Sequence, residues 1–61
     1  MKVKFFNTSG QDPFDGKEIE LNRVPNRGEL ISFSRSYICN RVTSVKTVLD
    51  REGELYVVTI E

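Results

Sequence analysis

Tyr37-Ile38-Cys39-Asn40-Arg41-Val42-Thr43-Ser44-Val45-Lys46-Thr47-Val48-Leu49 is the stretch on which the reading of this 61-residue chain turns. Val42, Val45 and Val48 fall three apart with Leu49 beside them, a spacing that would suit one face of a helix. Valine and threonine dominate the segment, however. Such β-branched side chains lose rotamer freedom in a helix and fit a pleated strand. A bulge inserts one residue into a strand and moves the inward face along by one, which also yields a spacing of three. The segment is therefore expected to be one long, bent strand from Tyr37 to Leu49.

The flanking segments read the same way. Downstream, Asp50-Arg51-Glu52-Gly53 has the form of a type I turn closed by a glycine able to take a positive φ. The strand after it, Leu55 to Ile60, is apolar on both faces, which places it centrally in a sheet or crossing between layers. Upstream, Pro25 and Gly28 mark a turn in Val24-Pro25-Asn26-Arg27-Gly28. Alternating strands are expected on either side of it, at 17–24 around Ile19 and Leu21 and at 29–34 around Ile31 and Phe33. The polar break Ser34-Arg35-Ser36 then makes residues 30–39 a hairpin.

At the N-terminus Val3 and Phe5 alternate with Lys2 and Lys4, the pattern of a first strand with one buried face. Phe6 falls out of phase and suits either a barrel end or an oligomer contact. Residues 7–13 are turn formers without periodicity, a loop, and Asp15-Gly16 offers a type I′ hairpin turn. Phe14, set in that polar stretch, is expected to plug one end of the core or to anchor a partner. Five strands, short connections and no helix give an all-β chain, with residues 1–61 forming one domain. At this length a small five-stranded SH3-like or OB-like barrel best disposes of open strand edges.

The series Val24-Pro25-x-x-Gly28-Glu29-x-Ile31, then Tyr37, Val42, Val45, Val48-Leu49-Asp50 and Tyr56-Val57-Val58 resembles a group of short, mostly uncharacterised bacterial and phage proteins. The resemblance covers residues 17–61 and implies a small SH3-like β-barrel. Cys39 and Ser34-Arg35-Ser36 depart from the apolar residue and the Gly- or Asp-containing turn expected at those places. Most of the shared positions are turn and core residues, so the likeness speaks to fold rather than to activity.

A chain this short buries only about 60% of the surface its unfolded form exposes. Stability must then come from tight packing, a staple or association with another copy. One cysteine and no histidine exclude an internal disulfide and a structural zinc site. A lone cysteine suits a reducing compartment, so a cytoplasmic protein is expected. No segment has the length or apolarity of a signal peptide or a membrane span. The net charge is zero but unevenly spread. Lys2 and Lys4 precede an acidic run of Asp12, Asp15, Glu18 and Glu20. A basic middle follows, and the tail after Asp50 is acidic again. Pairing of these blocks across neighbouring strands is the simplest use of that pattern.

The inventory leaves little room for catalysis. The commonest general base is absent, Cys39 sits in an apolar pattern as a small buried hydrophobe, and the carboxylates look like loop formers and the wet face of a strand. Asp12-Pro13-Phe14-Asp15-Gly16 lacks the ligand alternation of a calcium loop, and each glycine has a turn to explain it. The expectation is thus a protein that is not an enzyme and has no cofactor or metal. Phe6, Phe14, Leu30, Tyr56 and Val58 exceed what one inner face needs, which points to protein binding. The partner would be another protein or a second copy, as in a phage-type regulator or inhibitor of a host protein. The alternative is nucleic-acid binding through Arg23, Arg27, Arg35, Arg41 and Lys46, with Phe33, Tyr37 and Tyr56 for stacking. Against that alternative, the pI is near 6.2 rather than above about 9.

Overall fold

Alternation of apolar and charged residues places two short strands at the N-terminal end, β1 (Lys2–Asn7) and β2 (Glu18–Glu20). A two-residue strand, β3 (Leu30–Ile31), precedes the long pair β4 (Asn40–Asp50) and β5 (Gly53–Ile60). The computed structural model describes residues 1–8, 16–33 and 39–61. The strands lie in the order β2-β1-β5-β4-β3. β1 and β5 run parallel, and the other neighbours are antiparallel. The sheet curls into a half-barrel, so the expected all-β class and five strands are found.

The concave face holds the core. Val3, Phe5, Val42, Val58 and Ile60 are buried there, with Ile19, Leu21, Val24, Ile31, Phe33 and Tyr56 packed around them. The Phe33 ring meets Phe5 edge-on, with centroids 5.2 Å apart, a favoured aromatic geometry. On the convex face Lys2 stands opposite Glu20 and Lys4 opposite Glu18, and the ion pair at Glu20 is made by the N-terminal ammonium at 2.7 Å.

β4 is extended, and it contains the bulge. Val42 pairs with Ile60 and Ser44 with Thr59, leaving Thr43 as the extra residue. The Thr43 hydroxyl donates to the Thr59 carbonyl at 3.2 Å, which ties down the inserted residue. Because of this insertion Val42 and Val45 both share the concave side, opposite Ile60 and Val58, whereas Val48 lies opposite Leu55 on the convex side. The spacing of three thus comes from a bulge followed by ordinary alternation. The part of the expected strand at Tyr37 and Ile38 lies outside the described residues, as does the turn at Ser34-Arg35-Ser36.

Two strands are shorter than their patterns predict. β2 spans Glu18–Glu20 rather than 17–24, and β3 spans Leu30–Ile31 rather than 29–34. Pro25, which is buried, has no N–H to give to a ladder. The turn itself runs from Asn26 to Glu29, closed by the Glu29 N–H donating to the Asn26 carbonyl at 3.1 Å. Gly28 sits at its third position with φ of 88°, a conformation that suits glycine there. The Gly28 N–H and Glu29 carbonyl then bond Val42 at 2.8 and 2.9 Å, clipping the turn onto β4. The other turn forms as expected: Gly53 has φ of 120°, and Asp50 Oδ1 accepts from the Glu52 N–H at 2.8 Å.

Candidate functional site

The long hairpin overhangs the rest of the sheet. Eleven residues of β4 at about 3.3 Å each span roughly 36 Å, close to the molecule's longest dimension of 37 Å. β1 accompanies β5 only from Tyr56 onward, and β3 accompanies β4 only at Asn40 and Arg41. Beyond Val42, no strand among the described residues lies against the outer edge of β4.

The hydrogen-bond pattern fixes what that edge offers. The Ile60 carbonyl accepts from Thr8 at 3.0 Å, so the even-numbered residues of β5 point their backbone groups toward β1. The odd ones, Gly53, Leu55 and Val57, then bond Asp50, Val48 and Lys46 across the hairpin. Antiparallel ladders alternate. The N–H and C=O groups of Val45, Thr47 and Leu49 therefore point away from β5 into the open. The same three residues carry their side chains on the concave side. Val45 is 38% exposed and Leu49 72%. Tyr56 pairs with Thr47 and is half-buried. Its hydroxyl donates to Glu54 Oε2 at 2.6 Å, a bond that, with some desolvation, raises the phenol above its usual 10.0. On the convex side of the arm stand Lys46, Val48, Leu55 and Val57.

A second feature is the seam where the half-barrel fails to close. Between β2 and β3 lies a cleft of about 520 Å³ with Phe5, Ile19, Leu21, Pro25, Ile31 and Phe33 in its walls. At its rim Arg23 makes a two-pronged bond to Glu29, Nη1 to Oε1 at 3.0 Å and Nη2 to Oε2 at 2.9 Å. Hydrogen bonding to Arg23 holds the Glu29 carboxyl below the ordinary 4.5, and the same bond raises the guanidinium.

The residues singled out from the sequence do not form one patch. Phe6 is 40% exposed on the convex face, with the Lys4 ammonium 5.6 Å from its ring centroid. Leu30 is exposed opposite Arg41 at the other side of the sheet, and Tyr56 lies on the concave face. Val58 is fully buried between β1 and β4, so it is core and has no surface to give a partner. Phe14 lies outside the described residues. Of the basic set, Arg23 is engaged by Glu29, Arg27 lies in the 26–29 turn, and Arg41 and Lys46 face the convex side. Arg35 lies outside the described residues. Cys39, expected to be buried, is exposed; it precedes Asn40, the first paired residue of β4.

Sequence reasoning missed Thr47 altogether and took Val45 and Leu49 for core. The available signal was the length of the two strands joined by the tight Asp50–Gly53 turn; that β2 and β3 are too short to cover them shows only in the structure. No known family model, curated protein or solved structure matches the chain.

Proposed function

We propose that this chain is a non-catalytic protein-binding module that takes up an extended segment of another chain along the free edge of β4. The observation that carries this reading is the coincidence on Val45, Thr47 and Leu49 of outward backbone groups with partly exposed side chains on one face. Strand addition uses these two elements together. Main-chain bonds supply affinity, and alternate side chains supply selectivity. Natural edges are commonly blunted by proline, by charges turned inward or by brevity. β2 and β3 are short, while the open part of β4 has no proline and its one lysine faces outward. With no histidine in its sequence, the chain would act by occupying its partner, as a small regulator or inhibitor does.

The test is a Thr47→Pro variant. The Thr47 N–H makes no bond to β5, so proline there removes an edge donor while keeping the hairpin ladder. Wild type should retain a protein from nuclease-treated lysate of the native host that Thr47→Pro does not retain, and the purified pair should bind in a titration. Equal retention by both forms refutes the edge as the docking site. Binding of labelled oligonucleotides at about 50 mM salt, where phosphate contacts are strongest, would instead favour the basic residues.

A further inference from the structure

We infer that the strand this edge accepts is β4 of a second copy, paired antiparallel about a two-fold axis through Thr47. The inference rests on the strand-addition reading above and names its partner. Only β4 has a long open edge among the described residues, so a symmetric pair has one natural seam.

The register follows from the outward groups. In an antiparallel pair, residues that exchange hydrogen bonds must both point at the seam. A two-fold axis through Thr47 sets Thr47 against the partner's Thr47 and Val45 against the partner's Leu49. Every outward N–H and C=O of Val45, Thr47 and Leu49 is then satisfied in both copies. An axis through Lys46 would put two ammonium groups directly opposite, which is repulsive. An axis through Val48 leaves Val45 facing the turn. Axes through Val45 or Leu49 run into the bulge at Thr43 or the turn at Arg51.

Side chains agree with this register. On the concave side the two most exposed apolar residues of the arm, Val45 and Leu49, become direct cross-strand neighbours in each half. On the convex side Lys46 lies opposite the partner's Val48, diagonal to the partner's Asp50 on one side and to the partner's Lys46 on the other, so the apolar pair on the concave side carries the register. The curled sheets of both copies continue through the seam, and the overhanging hairpins acquire the third strand they lack.

Sedimentation equilibrium from about 10 μM to about 1 mM should show a monomer–dimer equilibrium that follows mass action. Thr47→Pro removes the central bond pair in both directions and should weaken it at least about 30-fold. Leu49→Lys alters a side chain that makes no core contact, and it should have a similar effect while leaving the circular dichroism spectrum unchanged. In a Cys39→Ser background, Thr47→Cys should form an intermolecular disulfide under mild oxidation. Its Cα atoms would lie about 5.5 Å apart across the axis. Leu49→Cys, displaced along the strand from its counterpart, should cross-link far more slowly. A monomer at about 1 mM, equal cross-linking at the two positions, or a dimer indifferent to Leu49→Lys would each overturn the inference. A monomeric wild type whose capture of a different protein still depends on Thr47 would remove self-pairing alone. Loss of both dependences removes the edge reading as well.

Discussion

Replacing Val58 by alanine tests the division between inside and outside on which every other argument rests. Val58 is fully buried in the central strand, opposite Phe5 on one side and Val45 on the other. Truncation removes two methyl groups, worth about 1.6 kcal/mol in transfer at roughly 0.8 kcal/mol each. A cavity of about 40 Å³ left behind adds roughly 1 kcal/mol, because a pleated sheet cannot collapse fully around it. The expected loss is therefore about 2.5 kcal/mol. Against a total of roughly 3–9 kcal/mol for a domain of this length, that is a large fraction.

Urea titration followed by circular dichroism, at a few micromolar protein so that association contributes little, reads the loss directly. With a slope near 1 kcal/mol per molar, the midpoint should fall by about 2.5 M. Leu49→Ala is the matched control. Its side chain is 72% exposed, and the cost should stay within about 0.5 kcal/mol. If instead Leu49→Ala proves the more costly change and Val58→Ala is nearly silent, the faces of β4 and β5 have been assigned the wrong way round. The bulge and the edge geometry would then fall together.

Two further outcomes are expected. The Glu29 carboxyl titrates below its unfolded value of 4.5 because Arg23 bonds its charged form. The stability this adds is complete above the unfolded value and fades as pH falls through the lower folded one. The thermal midpoint of wild type should thus exceed that of Glu29→Gln at neutral pH, with the gap closing on acidification; a gap unchanged from pH 7 to about pH 2 contradicts the ion pair. Gly53→Ala meets no atom within 4 Å, yet at φ of 120° its backbone should cost about 2 kcal/mol in the same urea assay. A cost below about 0.5 kcal/mol would mean that the Asp50–Gly53 turn can relax into another form.

Local chemistry made much of this fold legible in advance. The Asp50–Gly53 turn has an acceptor at its first residue and a glycine at its last, and it forms as those residues dictate. Thr and Val content correctly outweighed helical spacing over Asn40 to Leu49, because the bulge at Thr43 explains the spacing at no cost in propensity. What could not be read was non-local. The parallel pairing of β1 with β5 joins residues from opposite ends of the chain, and no turn between them specifies it. The lengths of β2 and β3 were overestimated because alternation reports which face is buried, not whether a neighbour is present to pair. Val58 was misplaced for a related reason. Val57 and Val58 look equally apolar, and only the register shows that Val58 faces the core while Val57 lies among the lysine stems on the convex face.

The position of the candidate site follows from the same economy of length. To close the barrel, β2 and β3 would have to pair with each other, and three residues against two give few ladder bonds to offset the entropy of ordering the chain between them. The seam therefore stays open, lined with apolar side chains and bridged at its rim by Arg23 and Glu29. The hairpin has the opposite imbalance. Its ladder is longest beyond the point where the core ends, and a two-stranded ribbon without a third strand or a packed face is marginal in water. Among the described residues no further segment supplies that third strand. Association along β4 would supply it, and would stabilise the fold and cover the edge through one set of contacts.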